Sequence, residues 1–172
     1  MTAGKRRTAR EMAVQMLYQS DLGGSPLPQI FRVFDLSEYL AREEAADKKR
    51  ERAADAVVDE RAEFARRKRR VEEAFLYAQE LVRGTVDHLE RIDELIRSQA
   101  DNWRLERMPA VDRNILRLAI FEMLHERETP KLVVVDEAIE LAKKFGSEQS
   151  GRFVNGLLDG LLKQHSFPGS LT

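Results

Sequence analysis

Four cations crowd the start of the chain: Lys5, Arg6, Arg7 and Arg10. A row of guanidiniums grips phosphate, and an aromatic ring on the same side stacks on an unpaired base. Tyr18 supplies such a ring. It lies eleven residues after Arg7, close to three helical turns, so the two share a face. The chemistry this pattern suits is non-covalent capture of single-stranded RNA. The same residues also fit a solvated basic helix end, and spacing alone leaves both open. A denser basic run, Arg66-Arg67-Lys68-Arg69-Arg70, could extend a nucleic-acid surface, although a solvated face balanced by nearby Glu and Asp is the simpler reading.

Enzyme chemistry is not legible. The chain has no Cys, which excludes disulfides, thiolate metal sites and Cys nucleophiles. His88, His125 and His165 lie far apart without ligand spacing. There is no phosphate-binding glycine loop and no nucleophile elbow, so no catalytic residue, metal or cofactor is expected. Charged residues make up 34% of the 172 residues, yet the net charge is −1. A polyanion would therefore be met by a local basic patch. No apolar run approaches the roughly 20 residues that span a bilayer. The basic N-terminus lacks the apolar core of a signal peptide, and the expectation is a cytoplasmic protein.

The elements that must position these residues are helices. Ala9, Met12, Ala13, Met16 and Leu17 recur with helical period, and Gly23-Gly24-Ser25-Pro26 ends that helix. Ile30, Phe31 and Phe34 predict a short second helix. From Arg42 to Glu73 there are eleven basic and ten acidic residues, and no Gly or Pro falls between Ser37 and Arg83. A long exposed helix or a helix pair fits this stretch; a flexible charged segment is the alternative. Phe75, Ala78, Val82, Thr85, Leu89, Ile92 and Ile96 form a narrow seam for bundle packing. Gly84 interrupts it, which calls for close approach by another helix.

The C-terminal half carries three more patterns. Trp103, Leu105 and Met108 are expected to plug a junction between bundles. Pro109 and Asp112 look like a helix start with Asp112 as N-cap, ahead of Ile115, Leu116, Ala119, Ile120, Met123 and Leu124. With Leu118 and Phe121 off that stripe, this helix is either central or meets a partner. Thr129-Pro130 reads as an N-cap and first residue, and Gly146 as the residue that ends that helix. Ser147 or Ser150 would cap the last helix, where Asn155-Gly156 suggests tight packing. Ala138, Ala142 and Gly146 with the helix after them also permit a helix-turn-helix reading. Its second helix would present Phe153, Val154, Leu157 and Leu158, too apolar for a groove.

Several segments together resemble the NusB family of bacterial transcription antitermination factors. They are Arg6-Arg7-Thr8-Ala9-Arg10-Glu11, Leu17-Tyr18-Gln19, Asn102-Trp103, Asp112-Arg113-Asn114-Ile115-Leu116-Arg117, Glu137 through Gly146, and Phe153-Val154-Asn155-Gly156-Leu157-Leu158-Asp159. The resemblance covers about residues 4–30 and 74–163. It implies an all-α fold of two packed helical bundles. The charged stretch at about 42–70 departs from the family in being longer than its usual connection, and a long charged helical insert is expected there. The division expected is an N-terminal subdomain, 1–100, and a three-helix C-terminal subdomain, 101–172. It implies binding of boxA leader RNA jointly with the ribosomal protein NusE. Other Nus factors and RNA polymerase would complete the antitermination complex that transcribes ribosomal RNA operons. RNA contacts map onto Arg6, Arg7, Arg10, Tyr18 and Phe153, then onto Lys144, Gln149 and Ser150, and the NusE contact onto Asp112. RNA methyltransferases that carry a NusB-like domain are the enzyme alternative. No dinucleotide-type pattern follows before Thr172, so a stand-alone factor is expected.

Overall fold

The computed structural model describes residues 3–54, 57, 59–100 and 104–169. Among them the regular structure is helical, without strands: α1 (Ala3–Gly23), α2 (Leu27–Val33), α3 (Ser37–Ala54), α4 (Glu60–Asp87), α5 (Leu89–Gln99), a 3-10 turn (Leu105–Arg107), α6 (Ala110–His125), α7 (Lys131–Phe145) and α8 (Ser150–Gln164). None of these helices is long and apolar enough to cross a membrane.

The apolar stripe of α1 is buried as its period requires, and Gly24 ends the helix at φ +63°, a conformation that glycine adopts without strain. α1 packs on α2 and α4, and α3 packs on α4. In the second bundle α5 packs on α6 and α8, and α6, α7 and α8 pack on one another. α6 also reaches back to α1 and α4, so it joins the two bundles. Its Ile115, Leu116, Leu118, Ala119, Ile120 and Met123 are all buried, because a helix that is apolar around much of its circumference needs neighbours on most sides. The central role expected of this helix is thus observed. Leu105 and Met108 are buried ahead of it; Trp103 lies outside the described residues.

The charged middle of the chain is a helix pair. Asp59 caps α4 by accepting from the backbone N–H groups of Arg61 and Ala62. Across the pair Asp47 is buried and bonds to Arg70 at 2.6 Å and to Arg67 at 3.3 Å, while Arg70 also donates to Glu43. Arg66 is bound to Glu63 within its own helix. Much of the basic run therefore faces carboxylates of the same chain.

Glycines divide into those that neighbours require and those that they do not. At Gly84 an added β-carbon would overlap the ring of Phe121 from α6, the close approach that the sequence called for. Gly146 has extended φ and ψ; a β-carbon there would run into Ser150 Oγ and the carbonyl of Ala142, so it is closeness rather than a left-handed turn that selects glycine. Gly156 has nothing within 4 Å, against the tight packing expected of it; Gly160, which meets the Gln99 side chain, has that role.

Helix boundaries differ in detail. The seam expected to run unbroken from Phe75 to Ile96 is interrupted at His88, between α4 and α5. α6 begins at Ala110, which puts Asp112 in the third helical position and not at the cap. α7 begins at Lys131 after Pro130, so Thr129 lies one residue short of the cap. The buried Thr129 instead accepts a hydrogen bond from Arg6. Val154, Leu157 and Leu158 of α8 are buried in the core, which removes the helix-turn-helix reading: a recognition helix must expose the face that enters a groove.

Candidate nucleic-acid interface

The basic face is built where side chains of α1 and α7 meet. Arg7 forms a two-pronged pair with Glu137 of α7, Nη2 to Oε1 at 2.6 Å and Nε to Oε2 at 3.0 Å. One turn along α1, the Oε2 of Glu11 accepts from Lys144 of α7 at 2.9 Å and from Arg42 of α3 at 2.7 Å. Arg42 also lies over the Tyr39 ring, 5.0 Å from its centroid. Lys5 pairs with Glu73 of α4. Cations from α1, α3 and α7 are thus gathered along one side of α1, each held by a carboxylate. Glu137 is held below the usual carboxylate range, first by its hydrogen bonds from Arg7.

The candidate residues do not all take part. Arg7 keeps 58% of its side-chain surface, and Tyr18 is 40% exposed on the same helix. Arg6 is half-buried against Thr129. Lys144 is exposed next to Glu11. Arg10 is only 4% exposed, and its guanidinium is bound to Glu122 of α6 by three contacts of 2.9–3.1 Å. A cation so enclosed is spent on holding α1 to α6 and does not face a ligand in this structure. Burial raises the pKa of Glu122, against the pull of Arg10. Ser150 is buried, and its Oγ accepts from the backbone N–H of Ser147, so the hydroxyl ties the α7–α8 turn. The cap of α8 is Gln149, with no side-chain bond.

Around that turn lies a cavity of about 750 Å³, lined by Met108, Pro109, Asp112, Ser147, Glu148, Gln149, Ser150, Arg152 and Phe153. Gln149, Ser150 and Phe153, expected near RNA, therefore share one space with Asp112, expected at a protein contact. Phe153 is half-buried and packs partly on the core. Arg152 faces this space and a second cavity of about 520 Å³ on the other side of the turn. Arg42 and Arg152 were not singled out from sequence. Arg42 joins the basic face through an acid 31 positions away, a separation that no local pattern encodes.

The NusB family model matches residues 7–163. The chain belongs to the NusB family. It is 41% identical to the transcription antitermination protein NusB of Sorangium cellulosum, over 91% of this chain and 90% of that protein. The NusB protein of Symbiobacterium thermophilum is 42% identical over 92% and 89%. Among solved structures, T. maritima NusB superposes with a TM-score of 0.67 at 33% identity, covering 93% of this chain and 92% of that one. A structure of antitermination factors NusB and NusE in complex with dsRNA superposes with a TM-score of 0.66 at 26% identity, covering 95% and 100%. The all-helical, two-bundle architecture of this chain is that of its family.

Proposed function

We propose that this protein binds boxA leader RNA together with a NusE-type ribosomal protein. In the cytoplasm it would join other Nus factors and RNA polymerase to carry transcription through ribosomal RNA operons. The observation that carries the reading is the row Arg7, Lys144 and Arg42, brought together on the α1–α7 face from three distant segments. Each of these cations is held by a carboxylate at the distance of a charge-assisted bond, and a phosphate oxygen accepts from the same donors in the same way. RNA binding is then an exchange of Glu137 and Glu11 for phosphates. The likeness to a NusB solved with NusE and RNA supports the same assignment. The role is that of a binding protein, without a catalytic step.

The test is a titration of boxA RNA, with and without NusE, at two salt concentrations, against a scrambled RNA and a duplex DNA. The expected result is boxA-specific binding that NusE tightens and salt weakens, since every neutralised phosphate releases counterions. Binding indifferent to sequence and to NusE would refute the proposal.

A further inference from the structure

We propose that His88 and His125 form a surface site for a divalent transition-metal ion such as Zn²⁺, which pins the end of α4 to the end of α6.

The two histidines are far apart in the chain, and the fold alone brings them together. His88 is the residue between α4 and α5, and His125 is the last residue of α6. Their rings lie 4.2 Å apart between centroids, tilted by 50°. Both residues are exposed, so an ion reaches them from solvent. Phe121, one turn before His125, packs against both rings, its centroid 4.9 Å from that of His125 and 5.8 Å from that of His88. Phe121 is itself seated where Gly84 leaves room for it.

The tautomer of His88 points to a ligand. Its Nδ1 lies 2.8 Å from the carbonyl oxygen of Gly84. A carbonyl only accepts, so Nδ1 carries the hydrogen, and in the neutral ring Nε2 keeps its lone pair. Metal-binding histidines are commonly held in this way: one ring nitrogen donates to a carbonyl or carboxylate, which orients the other and leaves it basic. The backbone N–H of His88 bonds to the same carbonyl, which fixes the residue as well as the ring. His125 makes no hydrogen bond or ion pair among the described residues, so its ring turns freely to offer a nitrogen.

The surroundings favour positive charge. A cavity of about 220 Å³ beside His125 is lined by Glu80, Glu122 and Glu126 and, among the described residues, by no Lys or Arg. Glu122 is answered by Arg10, but Glu80 and Glu126 are in no ion pair among the described residues. Such carboxylates draw cations to the neighbouring surface. Among the described residues no third His, Asp or Glu completes a ligand group, so two imidazoles and water make up the shell. Imidazole selects Zn²⁺, Ni²⁺ or Cu²⁺ over Mg²⁺ and Ca²⁺, which take oxygen ligands. A shell this open holds its ion exchangeably, unlike a structural site closed by protein ligands on every side. Zinc–nitrogen bonds of about 2.0–2.1 Å come within reach of both rings by a small rotamer adjustment of exposed side chains.

The test is a calorimetric titration of the full chain with Zn²⁺ in a chelator-free buffer, with Mg²⁺ as the control ion. Binding of Zn²⁺ and not of Mg²⁺ is expected. His88→Gln and His125→Gln should each weaken it by at least about tenfold, which is what losing even a ligand's supporting bond costs. His165→Gln, at the end of α8, should bind as the wild type does. Zn²⁺ should also raise the unfolding midpoint of the wild-type protein, because an ion held between two helices favours the folded chain. That rise should vanish in His125→Gln. This variant removes no hydrogen bond of the described residues, so it keeps the test decisive even if loss of the His88–Gly84 bond unsettles His88→Gln. The proposal is overturned if Zn²⁺ does not bind, if His125→Gln binds it as tightly as the wild type, or if Zn²⁺ leaves the wild-type midpoint unmoved. It is overturned equally if His165→Gln loses as much affinity as His125→Gln, which places the ion elsewhere.

Discussion

Replacing Arg10 by alanine tests whether the basic N-terminal helix is a uniform RNA-binding row or a row with one internal member. In the structure Arg10 and Glu122 are 4% and 2% exposed and paired through both carboxylate oxygens. The Arg10→Ala variant leaves the Glu122 carboxylate buried without that cation. Breaking a buried pair on one side costs about 3–5 kcal/mol, far above the value of a surface pair. For a chain of this size that is a fall in melting temperature of roughly 6–20 °C. The double variant Arg10→Met with Glu122→Leu removes both charges at similar volume and should recover most of the loss. The assay is urea unfolding followed by far-UV circular dichroism, with RNA affinity measured on the folded fraction. Wild-type stability in Arg10→Ala, combined with a large loss of RNA affinity, would refute the internal role and show that the arginine swings out to the ligand.

Arg7→Ala should behave in the opposite way. Its exposed pair with Glu137 is worth at most about 1 kcal/mol, so the unfolding midpoint should barely move. The salt slope of RNA binding should fall by about one in the same variant, measured by titration at several salt concentrations. Gly84→Ala should destabilise by about 1–2 kcal/mol despite better helix propensity, because the new methyl group meets Phe121. Gly156→Ala has open space around it and should stabilise by about 0.5–1 kcal/mol; denaturant midpoints of the two variants check both signs. For pH, burial would raise the Asp21 carboxyl, but bonds from Arg113 and Asn114 and the charge of Arg117 outweigh it and lower the pKa. Its stabilisation is therefore complete above the ordinary carboxylate value and is lost as pH falls through the lowered one. Asp21→Asn should give a flatter acid limb in a plot of unfolding midpoint against pH.

What the sequence determined by itself is the all-helical class and the buried face of the strongly periodic helices. Period is a local property, and in α1 and α6 it agrees with the fold: nearly all the positions that recur with helical period are buried. Gly84 was legible for the same reason, since a glycine inside a strong helical pattern has few explanations besides a close neighbour. The family, too, was legible, because its segments follow one another in order along the chain.

Tertiary structure alone decided which charges are free and which are spent. Arg6, Arg7 and Arg10 are equivalent in sequence, yet one bonds to Thr129, one lies exposed beside Glu137, and one is enclosed with Glu122, partners 112 to 130 residues away. A helical rotation of about 100° per residue separates these fates, but which side faces α6 is set by packing and not by charge. Asp112 shows the same limit from the other direction. The sequence reads it as a cap because Asp commonly serves there, whereas the helix begins two residues earlier and leaves its carboxylate buried against a cavity with an acceptor unanswered. Local chemistry names the donors and acceptors; only the fold, by bringing segments far apart in the chain into hydrogen-bond reach, decides which remain for a ligand.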